Sequence, residues 1–243
     1  MSDEFFIGWQ KRLPPQLGRF LRLLAAGVLL AMLAFGLVLG RADDPGGPDF
    51  AAAGAAGLLP DTAQMRGVLT LRPYPVLHRA DGRAVLLAGD GKRGADIPAA
   101  LDGQVVTAEG YVQARGSIGM LVLNAPPVAE RPGTAPPAQA LGRWRIMGEI
   151  CDGKCAAGAM LAGTGLAHRA CATLCLAGEL PAILVSAAPL FGQSFMLLAG
   201  PDGGPMPQAL RPLIGLRVSL EGALEWRGNL LVFRADPQTA ATP

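Results

Sequence analysis

The chain has 243 residues, a net charge of +2, and 16% charged against 51% apolar residues. So little charge excludes a long disordered acidic or basic tail, and near-neutrality with 5% aromatics excludes a phosphate-tracking, base-stacking nucleic-acid surface. Thirty-three glycines and 21 prolines point to short elements joined by many turns.

The first element is apolar. Leu23–Gly40 carries no charge and no proline, and its 18 residues meet the length needed to cross a hydrocarbon core of roughly 30 Å. Lys11, Arg12, Arg19 and Arg22 precede it, and Arg41, Asp43 and Asp44 follow it. The positive-inside rule therefore predicts a cytoplasmic N-terminus (1–22), a single-pass anchor (23–41) in an inner membrane and a periplasmic body. A cleaved signal peptide is the competing reading. It has a small-residue site near Ala51-Ala52-Ala53, but the apolar run is longer than the usual signal core.

A linker (42–64) follows, with an Asp-Pro-Gly-rich stalk at Asp43–Asp61. Residues 65–124 then show β-like runs separated by turn residues, a first β module. Residues 125–142 are proline-rich and read as a second linker, and 143–236 form a second module. The modules echo one another. Leu86-Leu-Ala-Gly89 matches Leu197-Leu-Ala-Gly200, and Val105 with Gly110 matches Val218 with Gly222. Arg115-Gly116 matches Arg227-Gly228, and Leu121-Val-Leu123 matches Leu231-Val-Phe233. Four matches in one order predict an internal duplication. Gly67 to Gly89 spans 22 positions and Gly148 to Gly200 spans 52, so the second copy carries about 30 additional residues, placed at 151–180. The expected fold class is mainly β: a transmembrane helix, then two tandem OB-like small barrels, the second with a Cys-rich insertion containing a short helix. An SH3-like barrel or two-sheet sandwich is the alternative.

The insertion holds all four cysteines and one of the two histidines. Asp152-Gly153 is a turn signal. Leu166–Leu176 reads as a helix ended by Gly178, with His168, Cys171 and Cys175 on one face. Three readings are open. Outside the cytoplasm, Cys151, Cys155, Cys171 and Cys175 would pair as disulfides that staple the insertion. Alternatively Cys155, His168, Cys171 and Cys175 form a Cys3His set for zinc, or with Met160 a soft site for copper(I). Thiol–disulfide chemistry is the third, with the helix start near His168 favouring a reactive thiol, although no CxxC motif is present. Motifs for haem attachment, Rieske clusters, HExxH zinc proteases and GxSxG hydrolases are absent. The turn Gly89-Asp-Gly-Lys-Arg-Gly94 lacks the spacing of a phosphate loop, and His78 is expected on a loop surface.

The twin CxxxC spacing is similar to that of the small intermembrane-space chaperones of mitochondrial import. Those are helical hairpins without an anchor, and glycine and proline interrupt this segment, so their function is not carried over. Gly148–Cys155 with His168–Cys175 resembles a segment of membrane-anchored bacterial periplasmic proteins with OB-like modules, of no established activity. That resemblance implies placement, not mechanism. The leading expectation is a non-catalytic accessory or interaction subunit of a membrane complex, such as one for electron transfer. Its insertion would be disulfide-stapled, with no cofactor, a membrane or periplasmic protein as partner, and no nucleic acid. The alternative is a zinc, copper or redox protein.

Overall fold

In the computed structural model, residues 14–42, 62–160 and 163–242 are described. The expected stalk at Asp43–Asp61 and most of the expected cytoplasmic segment lie outside them. The chain divides into two units, 1–44 and 45–243.

The first unit is one helix, α1 (Pro15–Ala42). Within Pro15–Val38 an 18-residue window has a mean hydropathy of 2.3, and none of that window is buried in protein. It is long and apolar enough to cross a membrane. Arg22 Nε donates to Gly18 O at 3.1 Å, so this guanidinium reaches back toward the helix start.

The second unit is mainly β. Its strands are β1 (Thr62–Thr70), β2 (Val76–His78), β3 (Ala84–Ala88), β4 (Gln104–Arg115), β5 (Ile118–Leu123) and β6 (Val128–Pro132). They continue with β7 (Gln139–Asp152), β8 (Ala182–Leu190), β9 (Gln193–Ala199), β10 (Arg217–Arg227) and β11 (Leu230–Ala241). Strands β7-β8-β9-β11-β10 form a closed five-stranded barrel. The first sheet runs β1-β2-β3-β5-β4, with β4 pairing back onto β1 and β6 added outside β4. Strand β6 falls within the proline-rich stretch read from sequence as linker. Its one proline sits where this is cheapest, since Pro132 ends an edge strand that lacks a second neighbour.

The registers of the two sheets correspond. Gly67 lies opposite Val106 as Gly148 lies opposite Val218. Gly110 faces Leu123 as Gly222 faces Ala235, and Arg115 faces Ile118 as Arg227 faces Leu230. Each sheet has one parallel strand pair, β3 with β5 and β9 with β11. These pairings correct two of the sequence matches. Val106, not Val105, is the counterpart of Val218. Leu121 sits beside Leu87 as Phe233 sits beside Leu198, so Leu121 corresponds to Phe233, two residues beyond its expected match. A two-residue slip preserves which face a strand residue points to, so the apolar pattern alone does not expose the error.

Four glycines stand where strands approach too closely for a side chain. A Cβ at Gly67 or Gly110 would collide with the carbonyl oxygen of His78 or Val122. One at Gly148 or Gly222 would meet that of Val185 or Arg234 in the same way.

Strands β3 and β5 are buried on both faces, which explains why they read as continuous apolar runs rather than alternating ones. Val85, Leu87 and Leu121 point into the first sheet's own core with Leu69, Leu77 and Val106. Their neighbours Leu86, Ala88, Ile118, Met120 and Val122 join a second, larger core shared with the β7–β11 barrel and the insertion. Direct bonds add to this contact. Met206 N–H donates to Tyr74 Oη at 2.9 Å, and Ala84 N–H donates to Asn229 Oδ1 at 2.7 Å.

The additional residues lie between β7 and β8, at 153–181, where the first sheet has only 71–75 between β1 and β2. The segment is packed in rather than projecting as a surface loop. Gly153 comes close to Met120 and Leu86, and Gly158 approaches Ala114 O. It contains a π-helical turn (Cys155–Ala159), missed from sequence, and α2 (Arg169–Ala177). The sequence placed α2 to within a turn, as its alanines and leucines favour.

Candidate metal centre

Asp152 ends β7 fully buried, and its Oδ1 accepts the backbone N–H of Cys155 at 2.9 Å. This bond starts the π turn and fixes Cys155 beside the strand end. On the other side, α2 presents Cys171 and Cys175, with His168 at its N-cap. Glu149 Oε1 accepts the Gly165 N–H at 2.5 Å and ties the segment before α2 to β7.

Two overlapping groups result. Ligand atoms of Cys155, His168 and Cys171 lie within 4.8 Å of one another, as do those of Asp152, Cys155 and Cys175. His168 Nε2 is 3.4 Å from Asp152 Oδ2, and both side chains are essentially inaccessible to solvent. Neither ring nitrogen of His168 and not Asp152 Oδ2 has a hydrogen-bond partner. Orphaned buried polar atoms cost on the order of 1–3 kcal/mol each, and a cation among them would remove that cost.

The expected staple is not present. All four cysteines are free, and the Sγ atoms of Cys155 and Cys171 stand 3.8 Å apart, well beyond a disulfide bond of about 2.05 Å. Two thiolates held about 2.3 Å from a tetrahedral zinc are themselves about 3.8 Å apart. The insertion is held instead by burial: Ala156, Ala157, Ala172 and Leu180 all belong to the shared core. Cys151 lies on β7, outside both candidate groups. Met160 is 42% exposed and lines the mouth of the adjoining cleft, which has a volume of about 420 Å³.

Two lysines complete the surroundings. Lys92, on the turn after β3, donates to Cys171 Sγ at 2.8 Å and approaches Cys175 Sγ at 3.6 Å. Lys154 donates to Gly89 O at 3.0 Å and Gly91 O at 2.8 Å. Gly94 N–H donates to Gly178 O at 2.6 Å. The turn at 89–94 is thus held by the insertion at both ends, and that delivers Lys92. A Cβ at Gly178 would collide with Lys92 O, so glycine ends α2 to admit this turn, and the left-handed residue is Glu179 (φ 68) instead.

Burial raises the Cys151 thiol well above its ordinary value. Burial, with the Asp152 carboxylate adding to it, raises that of Cys155. Cys175 is pushed up to about 11, again by burial first, with Lys92 pulling the other way. The hydrogen bond to Cys171 raises the Lys92 ammonium, while burial lowers that of Lys154. A bound cation inverts this balance, because metal charge deprotonates coordinating thiols.

Of the set proposed from sequence, Cys155, His168 and Cys171 come within 4.8 Å of one another, while Cys175 groups with Cys155 and Asp152 and Met160 lies outside both groups; Asp152, Lys92 and Lys154 were not in that set. Asp152 was read only as a turn former, and its place between Cys151 and Cys155 was the available signal. Lys92 carried none, being 79 residues from Cys171 in sequence. His78, expected at a surface, is buried in β2 with Nε2 3.0 Å from Thr70 Oγ1. Burial, assisted by Arg227, lowers its pKa to about 4.

Neither family models, curated proteins nor solved structures yield a match to this chain.

Proposed function

We propose that this chain is a single-pass membrane protein whose body binds one soft transition-metal ion, zinc or copper(I), at Cys155, Cys171 and Cys175 with His168 and Asp152. The observation that carries this reading is the buried cluster itself: free thiols, an imidazole and a carboxylate within 4.8 Å groups, with orphaned polar atoms on His168 and Asp152. Thiolate and imidazole are the ligands such ions select. The two sheets are taken as duplicated OB-like barrels, on the strength of their common pairing order and single parallel strand pair. The charge asymmetry around α1 supports a cytoplasmic N-terminus and a body outside the cytoplasm.

Full-length chain isolated in detergent without chelator should carry close to one metal ion per molecule by elemental analysis. Cys155→Ser and Cys171→Ser should lose most of it, and Cys151→Ser should keep it. Metal at background level in the unaltered chain overturns the reading. Binding must also displace thiol protons, since Cys175 titrates only near 11. Apparent affinity should therefore rise with pH, by about tenfold per unit for each proton released. Calorimetry in buffers of different ionisation enthalpy counts those protons.

A second reading, an accessory subunit docking a membrane or periplasmic protein, is favoured by an aromatic cluster on the β7–β11 barrel. Phe191 is 53% exposed at the β8–β9 turn. Its ring is 5.7 Å from that of Trp144 and 6.2 Å from that of Trp226. Exposed aromatic groups of this kind are typical interface anchors. Crosslinking after gentle solubilisation should recover a partner that Phe191→Ser loses. A chain that remains alone counts against this reading.

A further inference from the structure

We propose that Cys155 and Cys171 are also a thiol–disulfide exchange couple that reduces low-molecular-weight disulfides bearing carboxylates, admitted through the cleft beside Lys92. This goes beyond metal binding and does not require a metal.

Four features of the geometry carry it. Cys171 is the one half-buried cysteine and Cys155 is buried, so an incoming disulfide reaches Cys171 first. The two sulfurs are in contact at 3.8 Å, and bonding requires them to close by about 1.8 Å. Cys155 opens a π-helical turn and Cys171 lies in the first turns of α2, so that movement falls on two short segments rather than on the barrel. Lys92 Nζ contacts Cys171 Sγ at 2.8 Å, placing an ammonium where negative charge resides on the attacking sulfur. The cleft of about 420 Å³ opens onto both sulfurs and is bordered by Lys92, Lys154 and Asp90. Two cations against one carboxylate favour an anionic guest.

The chemistry balances with the disulfide as oxidant. Cys171, having given its proton to solvent, attacks one sulfur of the guest. The guest S–S bond breaks, and the first thiolate departs and takes up a proton. Cys155 then attacks Cys171 Sγ, the mixed disulfide breaks, and the second thiolate leaves with a proton equivalent to that lost by Cys155. Two protein thiols are oxidised by two electrons, and one guest disulfide becomes two thiols. Cys175, which Lys92 reaches only at 3.6 Å, and Cys151, buried on β7, take no part.

The test uses oxidised glutathione on the full-length chain in detergent, stripped of metal by chelator, followed by alkylation and peptide mapping. The expected product is a Cys155–Cys171 disulfide, with Cys151 still alkylated. In Cys155→Ser the second step is blocked, so glutathione should accumulate on Cys171. Lys92→Met should slow the reaction on the order of tenfold, and Lys92→Arg should restore it to within a few-fold. Glutathione retained on a cysteine other than Cys171, no protein disulfide, or a Lys92→Met rate equal to that of the unaltered chain overturns the proposal. Elemental analysis of the untreated chain reads the metal proposal separately, so either can fail alone.

Discussion

The connection between β1 and β2 is five residues long, and the equivalent connection between β7 and β8 is twenty-nine. Around them, the two sheets keep the same pairing order, and their glycines stand at the same close approaches. The shorter connection shows that the strand arrangement closes without an insertion. The longer one adds a cysteine-bearing segment and covers the outer face of β3 and β5, so that Leu86, Ile118 and Met120 are buried against it. An addition to one sheet thereby becomes part of the core for both.

The largest expected effect tests the shared framework. Gly110→Ala and Gly222→Ala each force a Cβ into a carbonyl across the strand pair, and each should cost about 4 kcal/mol or more, seen as loss of the folded body in thermal melts. Gly82→Ala, where nothing lies within 4 Å but φ is +83, should be far milder. If only one of the Gly110 and Gly222 variants is damaging, the correspondence between the sheets fails.

A smaller effect separates the two faces of β3. Leu86→Ala and Leu87→Ala both empty buried space and should each cost about 2–5 kcal/mol. They should differ in kind. Leu86 supports the insertion, so its loss should open residues 153–181 to protease under conditions where the rest of the body survives. Leu87 faces the first core, so its loss should expose β1–β5 instead. Identical cleavage patterns would mean that the insertion is not supported by β3.

The mildest effect concerns His78, which the first sheet buries while its Nδ1 has no partner. Its pKa is about 4 in the folded chain against 6.5 in the unfolded one. The unfolded state therefore binds the proton first as pH falls. Stability from this site is complete above pH 6.5 and is lost down to about pH 4, by on the order of 2–3 kcal/mol. Glu130, held down to about 2 by hydrogen bonds from Arg66 and Thr107, acts only from pH 4.5 downward, so the stretch from 6.5 to 4.5 reads His78 without it. Melting temperature against pH should flatten between 6.5 and 4.5 in His78→Leu.

The sequence by itself determined the apolar helix, because a charge-free run of that length is written in composition and needs no partner to be recognised. It also marked the strand runs and the long cysteine-bearing connection between two of them, because glycines at turns and at close strand approaches punctuate the apolar runs. Register was legible only to within one or two residues, since a strand pattern of period two is unchanged by a slip of two. Only the tertiary structure decided that Cys155, Cys171 and Cys175 stand free around Asp152 and His168. Chain packing decided likewise that Lys92, from the other sheet, reaches Cys171. Those contacts join segments with no local signal in common, and they exist because burying β3 and β5 on both faces brings the turn at 89–94 against α2.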